Sequence, residues 1–296
     1  MHQPPPNHLA ERIRTLSGTL EPRPTSAVPR LEPLPGIRAV LFDIYGTLLI
    51  SASGDIGPAG EQDTAGAFAA ALEAVGFEEP VPTPAAAGPA RFERAIRDAH
   101  ARRRAAGLEF PEVDILDIWR EVLPSRHDPS RLAVEYECRV NPVWPMPGLT
   151  RLLADLHRRP LVLGLVSNAQ FYTPLILETL LGAPLADLGF DAACCVWSYR
   201  LLEAKPSTRL YETALAGLAR VHGIAPGEVL FVGNDLRNDI RPASTTGCRT
   251  ALFAGDTRSL RLREDDPSCA GLVPDRVVTT LRQLTDDILP AAPSQI

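Results

Sequence analysis

The sequence predicts an α/β protein with a doubly wound, Rossmann-like parallel sheet as its core and an inserted all-helical cap domain. Short apolar runs alternate along the chain with helical patterns, which is typical of parallel strands joined by right-handed crossovers. More than a hundred residues separate the first apolar run from the second. The first strand is therefore expected to be followed by the insertion.

The predicted strands are apolar on both faces, which favours central strands of a parallel sheet over edge strands. A weaker run covers residues 191–197. The clear runs lie at residues 39–42, 161–166, 228–232 and 249–253.

The insertion covers residues 54–146, and the α/β core is then formed by residues 36–53 and 147–289. Helices inserted at this point are expected to cover the carboxyl ends of the strands as a cap. Apolar spacing within the insertion predicts three helices, at residues 65–75, 91–104 and 115–123.

Both ends of the chain are predicted to be disordered. Residues 1–35 are rich in proline, with one short amphipathic stretch at residues 9–16, and such a composition is typical of a disordered leader. Residues 290–296 are expected to form a disordered tail.

The composition argues against several classes of function. The net charge of -6 gives no reason to expect nucleic acid or an anionic membrane as a partner. The apolar stretches are too short to span a bilayer, and the N-terminal region lacks the apolar segment of a secretory signal. The 5 cysteines show no CxxC spacing, so we expect reduced thiols in a cytoplasmic protein rather than a zinc site.

Small, polar or charged residues accompany the predicted strand ends. The carboxyl ends of parallel strands meet at one edge of the sheet, where doubly wound folds bind their ligands. The segments are DIYGT at residues 43–47, SN at residues 167–168, KP at residues 205–206 and GNDLRND at residues 233–239.

In order and spacing, these segments resemble the four motifs of the haloacid dehalogenase-like hydrolase superfamily, over about residues 38–285. The insertion matches the helical cap of that superfamily's first cap type. The resemblance implies a hydrolase that acts on a small anionic substrate, a phosphate ester or an acyl phosphate. Asp43 would be its nucleophile and would form an aspartyl-phosphate intermediate.

The other motif residues have chemistry that suits such a site. Gly46 permits a tight backbone turn beside the substrate. The hydroxyls of Thr47 and Ser167, together with Asn168 and nearby backbone N–H groups, could hold an anion. Lys205 would supply positive charge to the nucleophile and to the transferred group.

The resemblance also implies Mg²⁺ as cofactor, bound by the Asp43 side chain, the Tyr45 backbone carbonyl and an acid of the 233–239 segment. Mg²⁺ takes oxygen ligands and relieves the repulsion of adjacent carboxylates. Many phosphatases of the superfamily have aspartate where this chain has Asn234. Asp235 is therefore the predicted ligand, with Asn234 as the alternative.

Tyr45 stands where phosphatases of the superfamily usually have an aspartate that acts as general acid and base. A phenol with a reference pKa of about 10 is a poor proton donor at neutral pH. Tyrosine is found here in 2-haloacid dehalogenases, whose halide leaving group needs no proton and which use no metal. A metal-independent dehalogenase and a catalytically inactive binding protein therefore remain as alternatives. Asp235 and Asp239 favour the phosphatase, in which Asp239 would orient a metal-bound water or Lys205.

Overall fold

The computed structural model describes residues 7–53, 63–77, 88–123 and 128–289. Its strands fall into a large sheet and a small ribbon. They are β1 (Ala39–Phe42), β2 (Leu49–Ser51), β3 (Val143–Pro145), β4 (Val162–Ser167), β5 (Phe190–Trp197), β6 (Val229–Gly233), β7 (Arg249–Phe253) and β8 (Arg276–Val278).

Helices occur both within the predicted insertion and between the strands of the large sheet. None of those in the described ranges is long and apolar enough to cross a membrane. They are α1 (Asn7–Leu16), α2 (Thr64–Ala74), α3 (Gly88–Ala105), α4 (Ile115–Val122), α5 (Pro129–Val140), α6 (Leu149–His157), α7 (Tyr172–Leu181), α8 (Ser198–Leu201), α9 (Arg209–His222) and α10 (Arg241–Thr245).

The large sheet has the strand order β5-β4-β1-β6-β7-β8, and neighbouring strands are parallel. The predicted doubly wound parallel sheet is confirmed. The chain adds strands to one side of β1 up to β5 and then continues on the other side with β6. This reversal places the topological switch point, where such folds bind ligands, between the carboxyl ends of β1 and β6.

Strand β1 explains why the sequence shows a continuous apolar run. Successive residues of a strand point to opposite faces of the sheet. Val40 and Phe42 pack into the cluster that includes α6 and α7, whereas Ala39 and Leu41 pack into the cluster on the α9 side. Because helices cover both faces, every position of β1 is buried and apolar.

Helices α2 to α5 lie between β2 and β3, which pair antiparallel as a two-stranded ribbon. Each helix contributes one aromatic ring to a shared cluster: Phe68, Phe92, Trp119 and Tyr136. The centroids of Phe92 and Trp119 are 4.4 Å apart, and those of Phe68 and Tyr136 are 5.9 Å apart. This cluster holds the four helices together.

Parts of the predicted organisation fall on residues outside the described ranges. These are residues 1–6 of the leader, residues 54–62, 78–87 and 124–127 of the insertion, and the C-terminal tail. The domain boundaries of cap and core therefore stay predictions. Helix α5 was absent from the prediction.

The N-terminal segment is ordered from residue 7, so the disorder predicted for residues 1–35 is wrong over residues 7–35. Leu9 and Ile13 of α1 are buried, and the helix packs against both α5 and α7. The extended chain that follows forms an antiparallel bridge between Arg30 and Val277. Proline disfavours helix interiors but is compatible with such an extended, edge-bound chain.

Candidate active site

Asp43 lies at the carboxyl end of β1, at the switch point of the sheet. Its Oδ1 accepts hydrogen bonds from Lys205 Nζ at 2.7 Å and from Ser167 Oγ at 3.1 Å. Within the described ranges, its Oδ2 accepts no hydrogen bond. One carboxylate oxygen is therefore fixed, and the other is left for a reacting atom.

Lys205 connects Asp43 with Asp239. Its Nζ donates to Oδ1 of each carboxylate at 2.7 Å. Burial lowers the pKa of Lys205, but the charges of Asp239 and Asp43 outweigh burial and raise the pKa above its ordinary value. Burial raises the pKa of Asp239 to about 7, and Lys205 opposes that change. The structure thus gives two buried carboxylates one ammonium to share.

The loop after β4 holds Lys205 in place. Asn168 Oδ1 accepts a hydrogen bond from the Lys205 backbone N–H at 2.8 Å. The next residues are anchored by the insertion, because the Gln170 side-chain amide donates to the Val113 carbonyl and accepts from the Ile115 N–H, both at 2.9 Å. The segment between α3 and α4 therefore buttresses the loop that positions the active-site lysine.

Asp239 also organises the loop after β6. Its Oδ2 accepts the backbone N–H groups of Asn234 and Asp235, both at 3.0 Å. A Cβ on Gly233 would lie 2.5 Å from Asp239 Cγ, so the loop needs glycine there to bring this carboxylate against the backbone.

Asp235, the predicted magnesium ligand, makes hydrogen bonds within its own loop and an ion pair. Its Oδ1 accepts from the backbone N–H groups of Arg237 and Asn238, which caps the π-helical turn Leu236–Ile240. Arg263 donates to both carboxylate oxygens, at 3.1 and 2.5 Å. Both oxygens are engaged by this cap and this ion pair. Asp235 nevertheless lines the same pocket as Asp43, so the choice between Asp235 and Asn234 as metal ligand stays a prediction.

Oxygen atoms of Asp43, Tyr45 and Asn234 could hold Mg²⁺. All three residues line one pocket, and the Tyr45 carbonyl accepts no hydrogen bond from the described part of the chain. One carboxylate, one amide oxygen and one backbone carbonyl fit the preference of Mg²⁺ for oxygen ligands. No group of three or more His, Cys, Asp or Glu side chains in the described ranges is arranged as a metal site. Of the oxygen ligands from Asp43, Tyr45 and Asn234, only the Asp43 carboxylate carries a negative charge.

Tyr45 is buried and lines the same pocket as Asp43, and its hydroxyl lies 3.0 Å from Thr173 Oγ1. Burial, with the nearby charge of Glu137, raises the pKa of Tyr45 well above its ordinary value. The phenol therefore keeps its proton more firmly than a free tyrosine, which makes it a poor general acid.

Gly46 and Thr47 shape the loop after Asp43 and do not line the pocket. Thr47 is buried and donates to Asn234 Oδ1 at 3.2 Å. Gly46 has φ +81°, and a Cβ there would lie 2.5 Å from Ser259 Cβ and 2.6 Å from Asn234 Nδ2. The anion contacts predicted for these two residues stay predictions.

Two pocket residues, Ser259 and Arg261, lie outside the four segments recognised in the sequence. Asn234 holds their loop in place, because its Nδ2 donates to the Ser259 carbonyl at 2.6 Å and its carbonyl accepts from the Arg261 N–H at 3.0 Å. Both residues line the pocket beside Asp43. They follow the strand predicted at residues 249–253, so a search of the segment after that strand would have found them.

Comparison with known families gives one match that covers most of the chain. The model of the haloacid dehalogenase-like hydrolases matches residues 37–247. N-acetylmuramic acid 6-phosphate phosphatase from Pseudomonas putida is 29% identical over 219 residues, which are 73% of this chain and 82% of that protein. Phosphoserine phosphatase from Thermus thermophilus is 31% identical over 138 residues, 47% of this chain. The match spans about half the length of that relative, 49%.

Solved structures share the fold at low sequence identity. A HAD phosphatase from Thermococcus onnurineus superimposes with a TM-score of 0.51 at 20% identity, covering 84% of this chain and 96% of that one. A 2-haloacid dehalogenase from Pseudomonas syringae pv. Tomato gives a TM-score of 0.54 at 19% identity, with the same coverage, 84% and 96%. Because phosphatase and dehalogenase superimpose about equally well, the fold does not choose between the two activities.

Proposed function

Since the chain belongs to the haloacid dehalogenase-like hydrolase family, we propose that this enzyme hydrolyses small phosphate monoesters or acyl phosphates with Asp43 as the nucleophile. The arrangement around Asp43 carries the proposal, because Lys205 and Ser167 fix one carboxylate oxygen at the switch point of the sheet. The two curated relatives are named as phosphatases, which supports this chemistry.

In the proposed reaction, Oδ2 of Asp43 attacks the phosphorus atom. A bond forms between that oxygen and phosphorus, the ester bond breaks, and its electron pair leaves with the substrate oxygen. Water then attacks the phosphorus of the aspartyl-phosphate, which releases phosphate and regenerates Asp43. Lys205 holds the nucleophile in position and offsets negative charge during both steps.

Mg²⁺ held by Asp43, the Tyr45 carbonyl and Asn234 would supply positive charge to the phosphoryl oxygens. The other contributions come from side chains of the chain itself. Ser167 orients the Asp43 carboxylate, and Asn168 fixes the backbone of Lys205.

The position of Tyr45 restricts the proposed substrates. A leaving alkoxide requires a proton, and a missing general acid typically costs about 10²- to 10⁴-fold in rate. Because Tyr45 is a poor acid here, we expect acyl and aryl phosphates to react faster than alkyl phosphates. The measurement is kcat/KM against the pKa of the leaving group, and a flat dependence would mean that another residue donates the proton.

Hydrolysis of an aryl phosphate by the wild type and by Asp43→Asn, each with and without Mg²⁺, tests the proposal. We expect Asp43→Asn to lower kcat/KM by roughly 10³-fold or more, because the covalent step is lost. Asp187→Asn, which changes an exposed aspartate, is the matched control and should retain activity. Equal turnover by Asp43→Asn and the wild type would contradict the proposal.

A second candidate, hydrolytic dehalogenation, is favoured by the identity of Tyr45 alone. It predicts turnover of 2-chloropropionate that depends on Asp43 and not on added metal. Release of chloride by the wild type but not by Asp43→Asn, without aryl phosphate hydrolysis, would establish this activity.

A further inference from the structure

Ser259 carries a buried hydroxyl whose Oγ has no hydrogen-bond partner in the part of the chain that the structure describes. The residue is fully buried and lines the pocket that contains Asp43. Buried hydroxyls are almost always paired, since an unpaired one destabilises the folded state. A ligand oxygen in the pocket would give this hydroxyl its missing acceptor.

Arg261 lines the same pocket two residues further along the loop. One nitrogen of its guanidinium, Nη1, donates to the carbonyls of Arg258 at 2.7 Å and Leu260 at 3.1 Å. These two contacts hold the guanidinium in a fixed orientation. A planar guanidinium with five N–H donors is well suited to the oxygens of a phosphoryl group.

The charges of the pocket show why a second cation is useful. Lys205 is already shared between Asp43 and Asp239. A phosphate ester that approaches Asp43 brings further negative charge to a pocket already lined by Asp43, Asp235 and Asp239. Arg261 adds positive charge on the pocket wall formed by the loop after β7.

Contacts within the chain hold this loop beside the segment that follows Asp43. Ser259 is so close to Gly46 that a Cβ on the glycine would lie 2.9 Å from Ser259 Oγ. The buried Asp256 carboxylate accepts from the backbone N–H of Arg258 at 3.0 Å and pairs with its side chain. Donors fixed in this way are effective because they need little reorganisation when charge arrives.

We propose that Ser259 and Arg261 bind the oxygen atoms of the phosphoryl group that Asp43 attacks. The inference rests on the proposed function and deepens it by assigning phosphoryl contacts to the loop after β7. Both residues lie beyond residues 37–247, which the family model matches.

Binding of inorganic phosphate, measured by titration calorimetry, tests the role of Arg261. We expect Arg261→Gln to raise the Kd for phosphate by about 10- to 100-fold, because a charge-assisted contact is lost. Arg237→Gln removes the same charge from a neighbouring, partly exposed arginine that does not line the pocket, and its Kd should stay within about 2-fold of the wild-type value. Equal effects of the two substitutions would overturn the inference.

Ser259→Ala separates binding from folding. Because the hydroxyl has no described partner, its removal should leave the Tm unchanged or raise it, while the Kd for phosphate rises by about 3- to 10-fold. A lower Tm with an unchanged Kd would mean that the hydroxyl serves the fold, and the inference would fail.

Aryl phosphate hydrolysis by the same proteins distinguishes this inference from the proposed function. Phosphate binding that depends on Arg261, without turnover by the wild type, would contradict the proposed function but support the inference that Arg261 binds phosphate. Turnover that requires Asp43, with the same phosphate Kd in the wild type, Arg261→Gln and Ser259→Ala, would support the proposed function. It would contradict the inference that these two residues bind phosphoryl oxygens.

Discussion

At the scale of single residues, the loop after Asp43 depends on one backbone conformation. Gly46 has a positive φ and no room for a side chain, because a Cβ there would lie 2.5 Å from Ser259 Cβ and 2.6 Å from Asn234 Nδ2. We expect Gly46→Ala to lower the free energy of unfolding by about 2–4 kcal/mol, from left-handed backbone strain and from overpacking together.

Urea denaturation of Gly46→Ala and Gly36→Ala measures these two contributions. Gly36 has a similar φ of +83° but no atom within 4 Å of its Cβ position, so its alanine variant should lose only about 1–2 kcal/mol. Equal losses in the two variants would show that crowding by Ser259 and Asn234 contributes nothing.

A partly buried glutamate of the insertion should make stability depend on pH. Glu137 accepts a hydrogen bond from the Tyr172 hydroxyl at 2.9 Å, and burial raises the pKa of Glu137 above its ordinary value. The folded state keeps a proton that the unfolded state has lost, so this group's contribution is full below pH 4.5 and falls as pH rises through the raised pKa.

Glu137→Gln should therefore be more stable than the wild type at pH 8, and this advantage should shrink as pH falls to 4.5. Urea denaturation across this range measures the effect. Glu73→Gln, which changes an exposed glutamate of α2, is the control and should follow the wild type. Identical pH profiles for Glu137→Gln and the wild type would contradict the prediction.

The motif residues could be predicted because their chemistry is carried by short segments next to strand ends. Asp43, Ser167 and Lys205 come together because parallel strands deliver them to one edge of the sheet. The contacts of Asp235 could not be predicted from the sequence, for a physical reason. Its partner Arg263 lies 28 residues later, and no local pattern shows which carboxylate that arginine will meet.

At the scale of secondary-structure elements, burial decides what the sequence reveals. Strands β1 and β6 are buried on both faces, so their residues are apolar and easily recognised. Helix α5 was missed because it places two carboxyl side chains inward: Glu135 is buried and Glu137 is partly buried. Their partners, among them Arg12 and Tyr172, come from distant parts of the chain, so the helix lacks a clean apolar stripe in its sequence.

The contact between α1 and α5 can be tested through Glu135. This buried carboxylate forms ion pairs with Arg12 and Arg139. We expect Arg12→Met to lower the free energy of unfolding by about 1–3 kcal/mol, less than for a fully broken buried pair because Arg139 remains. Arg14→Met, at an exposed position of α1, should stay within about 0.5 kcal/mol of the wild type. Chemical denaturation of both variants measures the difference, and equal losses would reject the role of this ion pair.

At the scale of the whole molecule, the N-terminal segment is part of the folded unit although the family model begins at residue 37. Leu9, Ile13 and Leu34 are buried, and each such side chain contributes about 1.5–3 kcal/mol. Their sum is comparable with the stability of a typical domain. We therefore expect removal of residues 1–36 to lower the Tm sharply or to prevent folding.

Thermal unfolding followed by circular dichroism measures this effect. Removal of residues 1–6 alone is the control, because α1 begins at Asn7, and it should leave the Tm nearly unchanged. A chain without residues 1–36 that unfolds at the wild-type temperature would show that the segment adds nothing to stability. The proline content of the segment suggested disorder. Its own sequence does not show the surfaces that hold it, because these surfaces come from α5, α7 and β8, which lie far away along the chain.

The central position of β1 also bears on how the protein assembles during synthesis. Ala39 pairs with Val162 and Val229, residues made more than a hundred positions later, and such distant contacts form slowly. The contacts among α2 to α5 are closer in sequence and can form while the chain is still growing. An unfinished chain would therefore carry a structured helical insertion while Asp43 still lacked Lys205, so the ion pair of these two residues forms only after most of the protein has been made.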